Sequence, residues 1–273
     1  MPMTVASTPE SAAAFDCIAE QYDAIFSRST IGIAQRQLVH LTVSQCFAPG
    51  TRILDMNCGT GEDALRFGSQ SIEVVACDAS RVMIEVCRRK LAAAGSSLPV
   101  TFLVCANERL DQLKPLAPFD GALSNFGGLN CTRDLALMRE LLAPLIASGG
   151  HLFVCLMGRV CVWEIAWHLL HGHRKKAFRR LRADVAEASI GGRSIRVYYP
   201  SVWAVGNAFA PSFRLRAWRG IGVALPPSWL DPFFHNWPGV VRLLQRVDAF
   251  FGAWPLFRSG ADHVLLHFVR EEQ

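Results

Sequence analysis

The sequence lacks the cysteine pattern of a metal or disulfide protein. No CxxC pair occurs, and no His/Cys spacing suits zinc. All nine cysteines fall before residue 162, several inside apolar runs, as with Cys77, Cys105 and Cys155. Reduced, buried thiols in a cytoplasmic setting are expected, and no metal site. A long unbroken apolar run is missing too. The greasiest segment, 152–170, is interrupted by Arg159 and Glu164, so it reads as a strand and a helix rather than a membrane span. The opening MPMTVASTPE has no basic stretch leading into an apolar one, so no signal peptide is expected. There are no internal repeats or low-complexity tracts. The formal charge of +5 falls short of the strongly basic face of a nucleic-acid binder. Apolar residues are abundant, 51% against 19% charged, which suffices to bury a large core.

Residues 10–27 and 31–47 read as two helices, closed by the breaker FAPG. Short apolar runs then alternate with helical stretches: RILDM (52–56), EVVACD (73–78), VTFLVC (100–105), FDGALSN (119–125) and GHLFVCLM (150–157). The clearest intervening helix has Ser80 to cap its start and Gly95 its end. Strands of five to eight residues alternating with helices imply parallel strands buried on both faces, hence a doubly wound α/β sheet. After residue 158 the rhythm changes. A long helix is expected, then a hairpin turning at Gly191-Gly192, another helix, the strand FRLRAWRGI, a Pro- and Trp-rich helical insertion (226–258) and a last strand DHVLLHFVR. No flexible linker is evident, so the late segments should pack on the sheet.

The stretch GTGEDA (59–64) fits G-x-G-x-x-G/A between a strand and a helix, where glycines let a ligand approach the backbone. Asp78 ends the next strand, placed to accept both hydroxyls of a ribose. These two features suit NAD and S-adenosylmethionine alike. Asp55, Glu62 and Asp63 favour the second. Acids around the loop repel a pyrophosphate and attract an ammonium and a sulfonium, each contact worth about a few kcal/mol before desolvation. Asp55 can also serve as a strand-end acceptor of backbone N–H groups.

The strings LDMNCGTGEDA, VVACDAS, FDGALSNFGGLN and LAPLIASGGHLFVCLMG resemble, in order and spacing, the class I S-adenosylmethionine-dependent methyltransferases of the small-molecule branch, and IAEQYDAIF resembles their N-terminal lid. The resemblance is specific over about residues 15–157. It implies a Rossmann-like, doubly wound seven-stranded sheet with the last strand antiparallel. It also implies one methyltransferase domain over 1–273: a helical lid (1–48), a cofactor-binding core (49–157) and acceptor-side insertions (158–212 and 226–258), that is, after strand 5 and between strands 6 and 7. The implied cofactor is S-adenosyl-L-methionine. Asp55 and Gly59 would line its methionyl end above the Gly61 turn, and Asp78 would hold the ribose. Ala79 and Met83 would flank the adenine, with Ala106, Asn107 and Glu108 at its amino group. Asn125 and Phe126 would lie beneath the methyl, and Tyr22 would be the lid tyrosine. The family often has glycine where this chain has Asn57; asparagine tolerates the left-handed backbone that the turn needs.

Methyl transfer from a sulfonium can run largely on positioning and desolvation, so no residue must be a general base. His168 and His171 are the candidates, with Tyr198 and Tyr199 behind them. Trp163, Ala166, Trp167 and Leu170 share a helix face, either lining a greasy acceptor pocket or packing on the sheet. The acid-free run HGHRKKAFRRLR is amphipathic and either is a solvated face or contacts an anionic membrane. The leading expectation is methyl transfer to an apolar or aromatic small molecule, a secondary metabolite or lipid-like compound. The alternatives are an NAD(P)-dependent oxidoreductase and a non-catalytic S-adenosylmethionine-binding protein. Nucleic acid is not expected as a partner. The oligomeric state is open, with the aromatic stretch 229–257 as a possible subunit contact.

Overall fold

A computed structural model describes residues 10–95, 97–182 and 185–272. Residues 1–9, which are all but the last position of MPMTVASTPE and the first nine of the expected lid, lie outside the described residues.

The N-terminal helical region comprises α1 (Glu10–Asp16), α2 (Ala19–Tyr22), a π-helical turn (Asp23–Ser27) and α3 (Thr30–Val43). The alternating part then follows: β1 (Arg52–Met56), α4 (Glu62–Ser69), β2 (Glu73–Asp78), α5 (Arg81–Ala93), β3 (Val100–Val104), β4 (Phe119–Ser124), α6 (Leu135–Leu142) and β5 (Ile146–Met157). Ser80 caps α5, its hydroxyl accepting the Met83 N–H at 3.0 Å.

Beyond β5 come α7 (Val162–Leu170), two single turns α8 (Arg174–Ala177) and α9 (Arg179–Arg182), the hairpin β6 (Val185–Ile190) and β7 (Arg193–Tyr198), and α10 (Val202–Phe209). The strand β8 (Phe213–Ile221) follows, then α11 (Asp231–Phe234), α12 (Pro238–Phe251), α13 (Pro255–Arg258) and β9 (His263–Arg270). The long helix expected after β5 is not continuous. It stops at Leu170, and Gly172 takes φ +75°, which ends α7. The hairpin turn falls where expected, with Gly191 and Gly192 both at positive φ.

The main sheet runs β3-β2-β1-β4-β5-β9-β8. β1 to β5 are mutually parallel, and β9 is antiparallel to β5 and β8. Period-two alternation divides the core. Leu54 and Met56 face α6 and α10, whereas Ile53 faces α3, α4 and α12. The hairpin β6–β7 forms its own two-stranded sheet and packs through Ile195, Val197 and Tyr199 on Ala14 and Phe15 of α1. The N-terminal helical region, the expected lid, is thereby held from both sides, by the core and by the chain following β5.

Candidate active site

Between the carboxyl ends of β1, β2 and β4 and the N-terminal helical region lies a cavity open to solvent, its walls part polar and part apolar. Its walls bring together Tyr22, Asn57, Gly59, Asp78, Ala79, Met83, Asn107, Glu108, Asn125 and Phe126. Three expected cofactor residues are not on the wall: Asp55, Gly61 and Ala106.

Asp55 is 1% exposed, and alternation along β1 puts it on the Ile53 face under α4. There it takes a hydrogen bond from the Ala64 backbone N–H in the first turn of α4. Burial, then the neighbouring Asp63, push its carboxyl well above the usual range. Gly61 adopts φ +79°, and a Cβ there would meet Cys87 Sγ and the Phe102 ring at 3.0 Å. Its missing side chain therefore serves α5 and β3 packing as well as the turn.

The acids of the loop are also not bare. Asp63 pairs with Arg36 and His40, and Glu62 pairs with Lys90. The simple picture of an acidic cleft is therefore corrected. Asp55 works against a phosphate in another way, by taking an N–H donor at the α4 N-terminus that an anion would need.

Asp78 lines the cavity at the end of β2. Its Oδ2 accepts the Gly59 N–H at 3.0 Å and its Oδ1 the Ser80 N–H at 2.8 Å, leaving further lone pairs towards the cavity. Burial pushes its carboxyl up to about 6. Asn57 stands in the left-handed region, φ 55°, and its amide is engaged at both ends, by the Ser124 hydroxyl and by Asn107. The other end of Asn107 donates to Thr132 Oγ1 at 2.9 Å, so this amide braces the wall. Asn125 donates to Asp63 and accepts the Phe126 N–H. That bond helps fix Phe126 at φ 48°, a strained conformation for a bulky residue.

The lid is tied down by side chains that the motif reading did not single out. Asp23 accepts from Thr60 of the glycine loop and pairs with Lys90, and Asp16 accepts from Ser80. Tyr22 packs between Phe15 and Phe26 and approaches Gly59; burial raises its phenol to about 12, so it stays protonated. Ser11, Ala12, Phe15, Gly127, Gly128, Cys131 and Thr132 complete the wall. Gly127 and Gly128 directly follow the expected Asn125 and Phe126 in FDGALSNFGGLN but were not expected in the site; the α1 residues reach it only through the docking of the N-terminal helices.

The histidines expected as base candidates are elsewhere. His168 stacks on Trp229, and His171 stacks on Trp167 while contacting the Trp167 carbonyl; neither lines the cavity. Nor does Tyr198 or Tyr199. The Trp163/Trp167 face packs on Phe234, Phe233 and Trp229, with Trp163 Nε1 donating to the Ala224 carbonyl, so it does not form the pocket. His263, by contrast, meets the Phe126 ring edge-on at 5.3 Å. Asp262 stands behind it, and Arg180 behind Asp262.

Far along the sheet, the fold gathers Cys46, His151 and His267, whose ligand atoms lie within 4.8 Å of one another. Sequence spacing gave no hint of this trio. His151 and His267 satisfy each other at 2.9 Å, burial raises the Cys46 thiol away from a thiolate, and Arg216 adds positive charge near His267.

A family model described as "Methyltransferase domain" matches residues 53–150. A demethylmenaquinone methyltransferase of Parafrankia sp. (strain EAN1pec) is 26% identical over 77% of this chain and 87% of its own length. A second, from Symbiobacterium thermophilum, is 32% identical over 52% of this chain and 56% of its own length. The crystal structure of the [4+2]-cyclase SpnF superposes with a TM-score of 0.64 at 15% identity, over 99% of this chain and 98% of that one, which shows the shared fold. The chain therefore contains a methyltransferase domain, residues 53–150, on a sheet of the class I methyltransferase fold. The antiparallel β9 lies between β5 and β8 as in that fold, and the cofactor is S-adenosylmethionine.

Proposed function

We propose that this methyltransferase alkylates an apolar, aromatic small molecule of quinone type, working mainly by positioning and water exclusion. The observation that carries the reading is the aromatic floor. Phe126 is fixed in a strained turn, packed edge-on by Phe26 at 5.0 Å and by His263 at 5.3 Å, with the Arg36 guanidinium 4.9 Å from its ring centroid. The name of the Parafrankia relative, demethylmenaquinone methyltransferase, points to the same acceptor class.

The residues present suit the cofactor. Asp78 would hold the ribose hydroxyls, Met83 and Ala79 the adenine faces, and Gly59 admits the ligand to the backbone with only Tyr22 near its absent Cβ, at 3.8 Å. When bound, the cofactor supplies a methyl group on a cationic sulfur. Tyr22 and Phe15, held down through Asp16 and Asp23, exclude water above it, and Asn125 through Gly128 shape the floor. No histidine lines the cavity among the described residues, so an electron-rich ring such as a quinol suits the site: the ring carbon takes the methyl group from sulfur, and the displaced ring proton leaves to water. Incubation with labelled cofactor and a short-chain, water-soluble demethylated naphthoquinol should give a labelled product at the ring. Labelling of an amine or a carboxylate instead would defeat this reading.

A further inference from the structure

Two segments, 165–182 and 232–260, hold nine Lys and Arg and a single acid, Asp248. That acid is fully buried, accepting the N–H groups of Val223, Ala224 and Leu225 at 2.7–3.1 Å, so it offers no negative charge to the outside. Glu164, just before the first segment, is equally hidden and paired with Arg179 and Arg180. Those two arginines are therefore structural, which corrects the picture of an entirely solvated basic run. Arg174, Lys175, Lys176, Arg182, Arg242 and Arg246 remain exposed.

Large apolar side chains are exposed among these charges. Leu170 is 83% exposed, Phe233 60%, Trp237 63%, Leu243 60%, Phe250 63% and Leu256 89%. Isolated exposed apolar residues are ordinary, but the elements that carry this set touch one another in turn. Trp167 of α7 touches Trp229 and Phe233 beside α11, and the Val162 N–H donates to the Gly260 carbonyl at the end of α13. α12 continues the surface with Val241 and Asp248 turned inward and Arg242, Leu243, Arg246 and Phe250 outward.

We infer that this face seats the enzyme on an anionic membrane surface. Aromatic and aliphatic side chains at headgroup depth with lysines and arginines around them, and no exposed carboxylate in the two segments, match the chemistry of a negatively charged interface. No helix among the described residues is long and apolar enough to cross a membrane, so the contact is peripheral. The face reaches the lid: Asp231, at the start of α11, accepts the Ile31 N–H at 2.8 Å, and α3 carries Arg36 to the cavity floor. The purpose of the contact, access to an apolar acceptor, rests on the reading above; the contact itself does not.

Flotation of the full chain with vesicles of phosphatidylcholine alone, and of phosphatidylcholine with phosphatidylglycerol, tests it. The expected result is co-flotation with the anionic vesicles at low salt, a blue shift of tryptophan emission, and loss of binding as salt is raised. Lys175→Glu with Lys176→Glu should weaken binding at least about fivefold per charge. Leu170→Ser with Leu256→Ser should weaken it about tenfold or more, and both side chains are too exposed to be needed for folding. Absence of flotation with anionic vesicles at low salt overturns the inference. Dimerisation through this face, or retention on heparin, without vesicle binding does so as well. Transfer to the water-soluble quinol in vesicle-free buffer is scored separately. If it succeeds while flotation fails, only the membrane face is lost; the reverse result removes only the acceptor reading.

Discussion

Replacing Asp78 by asparagine tests the proposed cofactor site most directly. The carboxylate is fixed by two backbone donors, at 3.0 Å from Gly59 and 2.8 Å from Ser80, and presents its remaining lone pairs to the cavity. Hydrogen bonds from two ribose hydroxyls to a charged acceptor contribute roughly 1.5–3 kcal/mol each. An amide keeps one acceptor oxygen and turns its NH₂ towards a backbone N–H, so a loss of about 3 kcal/mol, or about 150-fold in affinity, is expected. Titration calorimetry with S-adenosylhomocysteine measures it. The pH profile adds a second readout. Because burial lifts this carboxyl to about 6, wild-type affinity should fall as pH drops through that value, whereas the Asp78→Asn profile should be flat there. Stability runs the other way. A folded pKa above the unfolded one means that this group's contribution is present below the ordinary carboxylate range and is lost as pH rises through about 6. Binding by Asp78→Asn within threefold of wild type, or a wild-type affinity unchanged between pH 5 and 8, would refute the reasoning.

Gly61→Ala should destabilise the fold by about 1–3 kcal/mol in denaturant titrations, because φ is +79° and the new Cβ meets Cys87 and Phe102 at 3.0 Å. Arg36→Met removes the guanidinium from the buried Asp63, leaving it His40 and the Asn125 amide, and should cost about 3 kcal/mol; Asp63→Asn in the same chain should recover part of it. Against burial, Arg36 and His40 hold Asp63 below the usual carboxylate range, and His263 and Arg180 do the same for Asp262. Their contribution to stability is therefore complete above about pH 4 and is lost as pH falls further, visible as a declining melting temperature. His168→Ala and His171→Ala should each leave kcat within about twofold, measured with the quinol acceptor, because neither side chain reaches the cavity.

Much of this protein could be read from its residues in order. Strand runs of five to eight residues between helices fixed a parallel α/β sheet, because only strands buried on both faces are apolar throughout. Gly59 and Asp78 sit at the first two strand ends, where connectivity alone brings them together. Ser80 as a cap, Asn57 at positive φ and the Gly191-Gly192 hairpin are local matters of backbone geometry, and so were legible too. Tertiary structure decided the rest. The side to which Asp55 turns depends on strand alternation against neighbours, and which charge neutralises Asp63 depends on α3 crossing α4. Arg180 looked like one more surface cation until the fold set it 2.7 Å from Glu164 and 2.9 Å from Asp262. The exposed aromatic face follows from the same physics. A helix pattern shows that apolar residues share a side, but only packing shows whether another element covers it, and over α11 to α13 none of the described residues does so for Trp237, Phe250 or Leu256.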